Sequence, residues 1–220
     1  MFELLVNEEG GLTTLGYGVC ILLAAAALLL AAFLSGKNEK KTGRTKRLVF
    51  CAMSLAMGFL LSYVKLFHLP FGGAVTACSM LFIALAGYWY GPRTGLLTAF
   101  VYGMLQFLQG PYVLSGFQVC CDYLLAFTCL GLTGFFAGRK NGLKIGYIAA
   151  VLGRGFFHTL GGYLYWMEYM PESFPKSISF LYPLVYNYGY LLAEAVITLI
   201  ILSLPAIGKA VDRVTALARS

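Results

Sequence analysis

Seven apolar runs, each close to the length a helix needs to cross a bilayer, follow one another along the chain at approximately 15–35, 47–66, 74–91, 95–109, 118–137, 145–166 and 182–205. A hydrocarbon core about 30 Å thick is crossed by roughly 20 helical residues rising about 1.5 Å each. In lipid every backbone N–H and C=O must be satisfied within the segment, so runs of this kind fold as helices. Only 11% of the 220 residues are charged and 60% are hydrophobic, whereas soluble domains carry charge on about a quarter of their residues. The chain therefore reads as an all-α, multi-pass membrane protein with no soluble domain, internal repeat or low-complexity tract.

The first run follows an acidic start, Glu3, Glu8 and Glu9, and has no polar cleavage region; it reads as a retained span, not a signal peptide. The fourth, 95–109, is short and carries Gln106 and Gln109 before Gly110-Pro111. Either a tilt or a closing loop that dips into the membrane would accommodate it.

Direction follows from the basic residues, which stay on the cytoplasmic side of short loops. One loop, 36–47, holds Lys37, Lys40, Lys41, Arg44, Lys46 and Arg47. Arg93, then Arg139, Lys140 and Lys144, then Lys209, Arg213 and Arg219 fall on the same side, leaving only Lys65 and Lys176 on the other. About seven spans result, with the N-terminus outside and the C-terminus inside. The basic loop divides the chain into 1–46, an extra N-terminal helix with its loop, and 47–220, a membrane core. Because the net charge of +7 is confined to loops, it argues against a nucleic-acid surface. The six cysteines lie in apolar runs without metal-ligand spacing and read as small packing residues.

Ionisable groups inside spans are costly and mark sites or pairs. There are four: Asp122, Arg154, His158 and Glu194. Arg154 and Glu194 fall at similar depth, which predicts an ion pair between adjacent helices. Asp122 and His158 belong to the outer half, with Tyr112, Tyr123, Tyr163, Tyr165, Trp166, Tyr182, Tyr186, Asn187, Tyr188 and Tyr190. An interfacial aromatic belt accounts for several of these tyrosines but not for Asp122. A carboxylate, an imidazole, an amide and several π faces would suit a flat, cationic, heteroaromatic ligand. His158 shares a helical face with Gly161 and Gly162, but Trp166 is about 80° off it and joins them only if the helix ends or bends there. Asn187, Tyr190 and Glu194 share another face. No Walker A, HExxH or GxSxG motif is present, so the chain carries neither an ATPase site nor a recognisable hydrolase site.

The segments AMSLA (52–56), FGGAVTACSM (71–80), YGPRTGLLTAFVYG (90–103), the glycine- and aromatic-rich run 110–138, GRGFFHTLGGYLYW (153–166) and YPLVYN (182–187) resemble, in order and spacing, the thiamine-specific S components (ThiT/YuaJ family) of energy-coupling factor transporters. The resemblance covers about 47–205 and implies a six-helix S-component core, to which this chain adds one N-terminal helix. It also implies that Asp122 with Tyr123, His158 with Trp166, and Tyr182 with Asn187 line a thiamine pocket, joined by Tyr112 and Tyr102. In such a pocket Asp122 would meet the ligand's positive or amino groups, Trp166 and His158 would stack on its rings, and Tyr182 and Asn187 would hydrogen-bond its pyrimidine end. The implied partners are a transmembrane coupling subunit, contacted through Ala52 and Ala56, and two cytoplasmic ATPases. Thiamine is then a transported ligand, no cofactor or metal is expected, and the location is a prokaryotic plasma membrane. Departures from the family pattern are Asp122, where some relatives carry glutamate, Ala77, where some carry an acid, and Glu194, to which no family role attaches. The alternatives are an S component for another vitamin or a thiamine precursor, or a small intramembrane enzyme.

Overall fold

A computed structural model of the protein describes residues 2–6, 12–19, 22 and 41–220. Most of the expected first span, 15–35, lies outside the described residues. Helix α1, Lys41–Ser62, takes in Arg44, Lys46 and Arg47, so these basic residues form its opening turns and not a loop.

After α1 the chain makes a short antiparallel hairpin, β1 (Lys65–His68) with β2 (Ala74–Thr76), pairing His68 with Ala74, Phe67 with Val75 and Lys65 with Thr76, with a register slip between Lys65 and Phe67. This hairpin departs from the all-α expectation, as does the isolated bridge between Val6 and Leu12. Pro70 and the left-handed Gly72 (φ 92°) turn the chain between the strands.

Helix α2, Ser79–Gln109, is broken at Gly91 (φ 83°, ψ 180°), immediately before Pro92. Proline lacks the N–H that would continue the ladder and disfavours helical backbone in the residue before it. Glycine supplies the positive φ that lets the chain reverse. The two arms fold back on each other closely: a methyl group on Gly95 would lie 2.5 Å from the Gly87 Cα. The separate apolar runs at 74–91 and 95–109 are these two arms.

Segment α3, Gly116–Phe136, changes pitch along its length. Ser115 caps it by accepting the Gln118 N–H at 3.1 Å, a wide π turn covers Cys120–Leu125, and a tight 3₁₀ stretch covers Cys129–Phe136. The tight stretch wedges between the arms of α2 and helix α4, Gly142–Tyr165. Gly131 makes this possible, since a Cβ there would stand 2.3 Å from the Leu96 nitrogen. Helix α5, Tyr182–Ser203, starts with Pro183 in its first turn. The helix α6, Pro205–Arg219, packs against the start of α1 and against α2 beside its break at Gly91. Trp89 Nε1 donates to Thr215 Oγ1 (3.0 Å), and Lys46 Nζ donates to Ser220 Oγ (2.7 Å).

Met80, Ile83, Tyr102, Leu130, Tyr147, Val151 and Leu191 form the buried centre. The outward faces are equally apolar: Leu60, Phe156, Val196 and Ile200 are each more than half exposed. An apolar exterior over an apolar core is the pattern of helices that face lipid. Among the described residues, three segments, Gly43–Ser62, Gly116–Phe136 and Lys176–Ser203, are long and apolar enough to cross a membrane.

Candidate binding cavity

At the hairpin end the helices enclose a cavity of about 320 Å³. Ser62 comes to it from α1, Lys65, Gly73 and Thr76 from the hairpin, Ser79, Tyr102, Gln106 and Gln109 from α2, and Asp122, Tyr123 and Phe127 from α3. Arg154, His158 and Gly162 come from α4, Trp166 and Tyr169 from the turn after it, and Tyr182, Tyr186, Asn187, Tyr190 and Glu194 from α5.

Asp122 is the polar hub of one wall. Its Oδ2 accepts from Gln118 Nε2 (2.8 Å) and Trp166 Nε1 (3.2 Å), while Oδ1 stands 3.5 Å from His158 Nδ1. The wide turn at 120–125 places it: the Ala126 N–H bonds five residues back, to the Cys121 carbonyl, and π bulges of this kind recur at functional sites. Gly161 gives the carboxylate room, because a Cβ there would lie 2.6 Å from Oδ1.

Trp166 reaches Asp122 because α4 stops at Tyr165 and Trp166 itself is non-helical (φ −116°, ψ 4°). The helix end that the sequence required for this residue is therefore present. His158 accepts the Arg154 Nε–H on Nε2 at 3.2 Å, so its own proton sits on Nδ1, toward Asp122.

Of the eight residues expected at the ligand, Asp122, Tyr123, His158, Trp166, Tyr182, Asn187 and Tyr102 line the cavity. Tyr112 does not. It lies behind Trp166 (ring centroids 5.1 Å apart) and shares a hydrogen bond with Tyr169; that bond pushes its phenol above the ordinary tyrosine range. Tyr163, Tyr165 and Tyr188, grouped with these residues on sequence, also lie off the cavity, and Tyr188 packs into the notch left by Gly155. Asn187 lines the cavity with its amide already engaged. Nδ2 donates to the His158 and Pro183 carbonyls (3.2 and 2.9 Å), and Oδ1 accepts from Tyr190 at 3.4 Å.

The expected Arg154–Glu194 ion pair does not form. Glu194, 2% exposed, accepts from Thr76 N (2.8 Å), Thr76 Oγ1 (2.7 Å) and Met80 N (3.4 Å). Arg154 instead bonds His158 and lies 4.0 Å over the Phe127 ring. Each charge finds nearer partners, three donors in one case and an imidazole with a π face in the other. Neither Arg154 nor Glu194 was expected in the cavity, yet both line it, with Gln106 and Gln109. The α2 residues were legible in principle, since Tyr102, Gln106 and Gln109 recur at helical spacing on one face.

Two carboxylates, Asp122 and Glu194, thus face one guanidinium, Arg154, while Lys65 stands exposed at the rim. These four formal charges balance, and the residues around Asp122 are aromatic: Tyr123, His158 and Trp166. A carboxylate set among ring faces favours a flat cation.

Residues 48–212 match the family described as thiamine transporter protein (Thia_YuaJ). The chain is 28% identical to the thiamine transporter ThiT of Bacillus subtilis (strain 168) over 174 residues, covering 72% of this chain and 88% of that protein. Its fold is similar to a solved structure of ThiT from Listeria monocytogenes, with a TM-score of 0.58 at 24% identity, covering 74% of this chain and 96% of that one.

Proposed function

This chain belongs to the thiamine transporter protein family, and from that premise we propose that it is the thiamine-binding S component of an energy-coupling factor uptake system. It is a membrane transport protein, not an enzyme. The observation that carries the ligand assignment is Asp122, a carboxylate held by Gln118 and Trp166 against the cavity beside His158. A thiazolium cation brought there gains an opposite charge and aromatic faces together, in a site shielded from water.

On this reading 47–220 is the six-helix core, counting each arm of α2 as one span. The preceding segment adds a seventh, with its N-terminus outside and the basic turns of α1 inside. Energy comes from a coupling subunit and two ATPases. Ala52 and Ala56 are both exposed on the outer face of α1, one turn apart, and small residues at that spacing let another helix approach closely.

Calorimetric titration of the detergent-purified chain with thiamine, beside riboflavin and biotin, tests the assignment. Tight binding of thiamine alone is the expected result. Preference for either of the other vitamins would move the chain to another S-component specificity, and chemical turnover of thiamine would point to an enzyme.

A further inference from the structure

Leu204 is extended (φ −69°, ψ 127°) and Pro205 cannot continue the ladder of α5, so the chain turns a corner and starts α6 in a new direction. From that corner α6 reaches the break in α2 and the opening turns of α1. Thr215 Oγ1 accepts from Trp89 Nε1, the Ala218 carbonyl accepts from Tyr90 Oη at 3.0 Å, and Ser220 Oγ accepts from Lys46 Nζ. Lys144, in the first turn of α4, donates to Ser203 Oγ at the close of α5 (2.9 Å). The basic ends of α1 and α4 therefore meet at the same end of the fold as α6.

Two stripes run along α6. Gly208, Val211, Thr215 and Ala218, spaced three and four apart, turn to the protein and are buried or half-buried. Ile207, Ala210, Val214 and Leu217 form a second, wholly apolar stripe at the same spacing, and all four are exposed, Leu217 at 61%. Lys209 and Arg213, one turn apart and both exposed, flank this second stripe. Asp212, the one acid of the helix, falls on the opposite side. An apolar stripe edged by basic side chains suits the boundary between headgroups and acyl chains, where the stripe enters lipid and the basic stems reach back to phosphate.

We propose that α6 lies in the headgroup layer at the basic end of the helices and binds anionic phospholipid, with Ile207, Val214 and Leu217 in the acyl boundary and Lys209 and Arg213 on headgroup phosphates. Charge selects this occupant: Lys209 and Arg213 stand beside the stripe, Lys46 and Lys144 are at the same end, and the helix offers one carboxylate, turned away. Trp89 and Tyr90 tie α6 to the residues just before the Gly91 break, so lipid held by α6 also braces the point where α2 reverses. Nothing in this assignment depends on the cavity or its ligand.

The test places the purified full chain in nanodiscs of phosphatidylcholine alone and of phosphatidylcholine mixed with phosphatidylglycerol, and measures amide hydrogen exchange in both. Two basic groups at an anionic surface correspond to about 10- to 30-fold in the equilibrium that opens the helix. Exchange in 206–217 is expected to slow by about that factor in the anionic discs at low salt, and the difference to vanish at high salt. Lys209→Gln with Arg213→Gln should remove most of the difference, while exchange in α4 is the same in both discs. If that variant does not fold, the salt dependence of the wild-type chain supplies the same answer. Equal exchange of α6 in the two discs overturns the proposal, including the case in which a protein partner covers the stripe. A slowing of equal size in α4 overturns it as a general effect of the bilayer, and a difference that survives in the double variant overturns the role given to these two residues.

Discussion

The Nε of Arg154 donates across one turn of α4 to Nε2 of His158, 3.2 Å away, and the imidazole's other nitrogen faces Asp122 Oδ1 at 3.5 Å. A neutral ring thereby separates a guanidinium from a carboxylate, and its tautomer is fixed by the neighbour on each side. Protonating Nε2 would break the first bond and place two cations together. Removal of the guanidinium frees that nitrogen. In Arg154→Met the imidazole loses the donor that fixes its tautomer, so thiamine affinity should fall, as read by calorimetric titration beside wild type. Equal affinity in the two proteins would count against this account.

Asp122→Ala should weaken thiamine binding by about 2–5 kcal/mol, the cost of leaving a buried cation without its partner. Gly161→Ala should produce much of that loss with the carboxylate still present, since the added methyl would crowd Oδ1 from 2.6 Å. Calorimetry of both variants, with Trp166 fluorescence as a second readout, checks this. Wild-type affinity in Gly161→Ala would mean that the position of the carboxylate matters less than its charge.

Glu194→Ala should lower stability by about 1–3 kcal/mol or more, because Thr76 N, Thr76 Oγ1 and Met80 N lose a common buried acceptor. The same carboxylate joins α5 to β2, so amide exchange in 74–76 should accelerate more than in α4. Glu194→Gln, which keeps an acceptor oxygen, should be milder. Thermal unfolding in detergent and hydrogen exchange together distinguish this local release from a general loss of packing.

Ala52→Leu with Ala56→Leu should leave thiamine binding intact and abolish uptake in cells supplied with a coupling module. Both positions are exposed and neither lines the cavity. Transport assays set beside titrations separate the two effects. Parallel loss of binding would place the alanines in the fold and not at a partner surface.

The helices between 47 and 205 and the break in α2 were legible in the sequence because apolar length and Gly91-Pro92 are local signals, whereas the basic opening turns of α1 and the amphipathic helix α6 were not. The approach of Trp166 to Asp122 was legible as a condition, that α4 end by Tyr165. The fate of Arg154 and Glu194 was not. Depth along two helices says nothing of rotation about them, and the competing donors, Thr76 at the end of β2 and Met80 in the first turn of α2, lie in the run 74–91 that hydropathy reads as one span. Tyr112, which the family resemblance implies at the pocket, is set by the fold behind Trp166.

The wide turn at 120–125 holds one residue more than a regular helical turn requires, and each residue turns a helix by about 100°. Deletion of a single residue from Tyr123–Leu125 would restore the ordinary ladder and leave Gln118 and Asp122 unchanged in sequence. Ala126 would then meet the same Cys121 carbonyl four residues back, so Phe127 and the glycines of the tight stretch would keep their phase, and the change would fall on the turn that presents Asp122. The placement of that carboxylate is thus keyed to one surplus position, and length here is as much a determinant of recognition as any side chain.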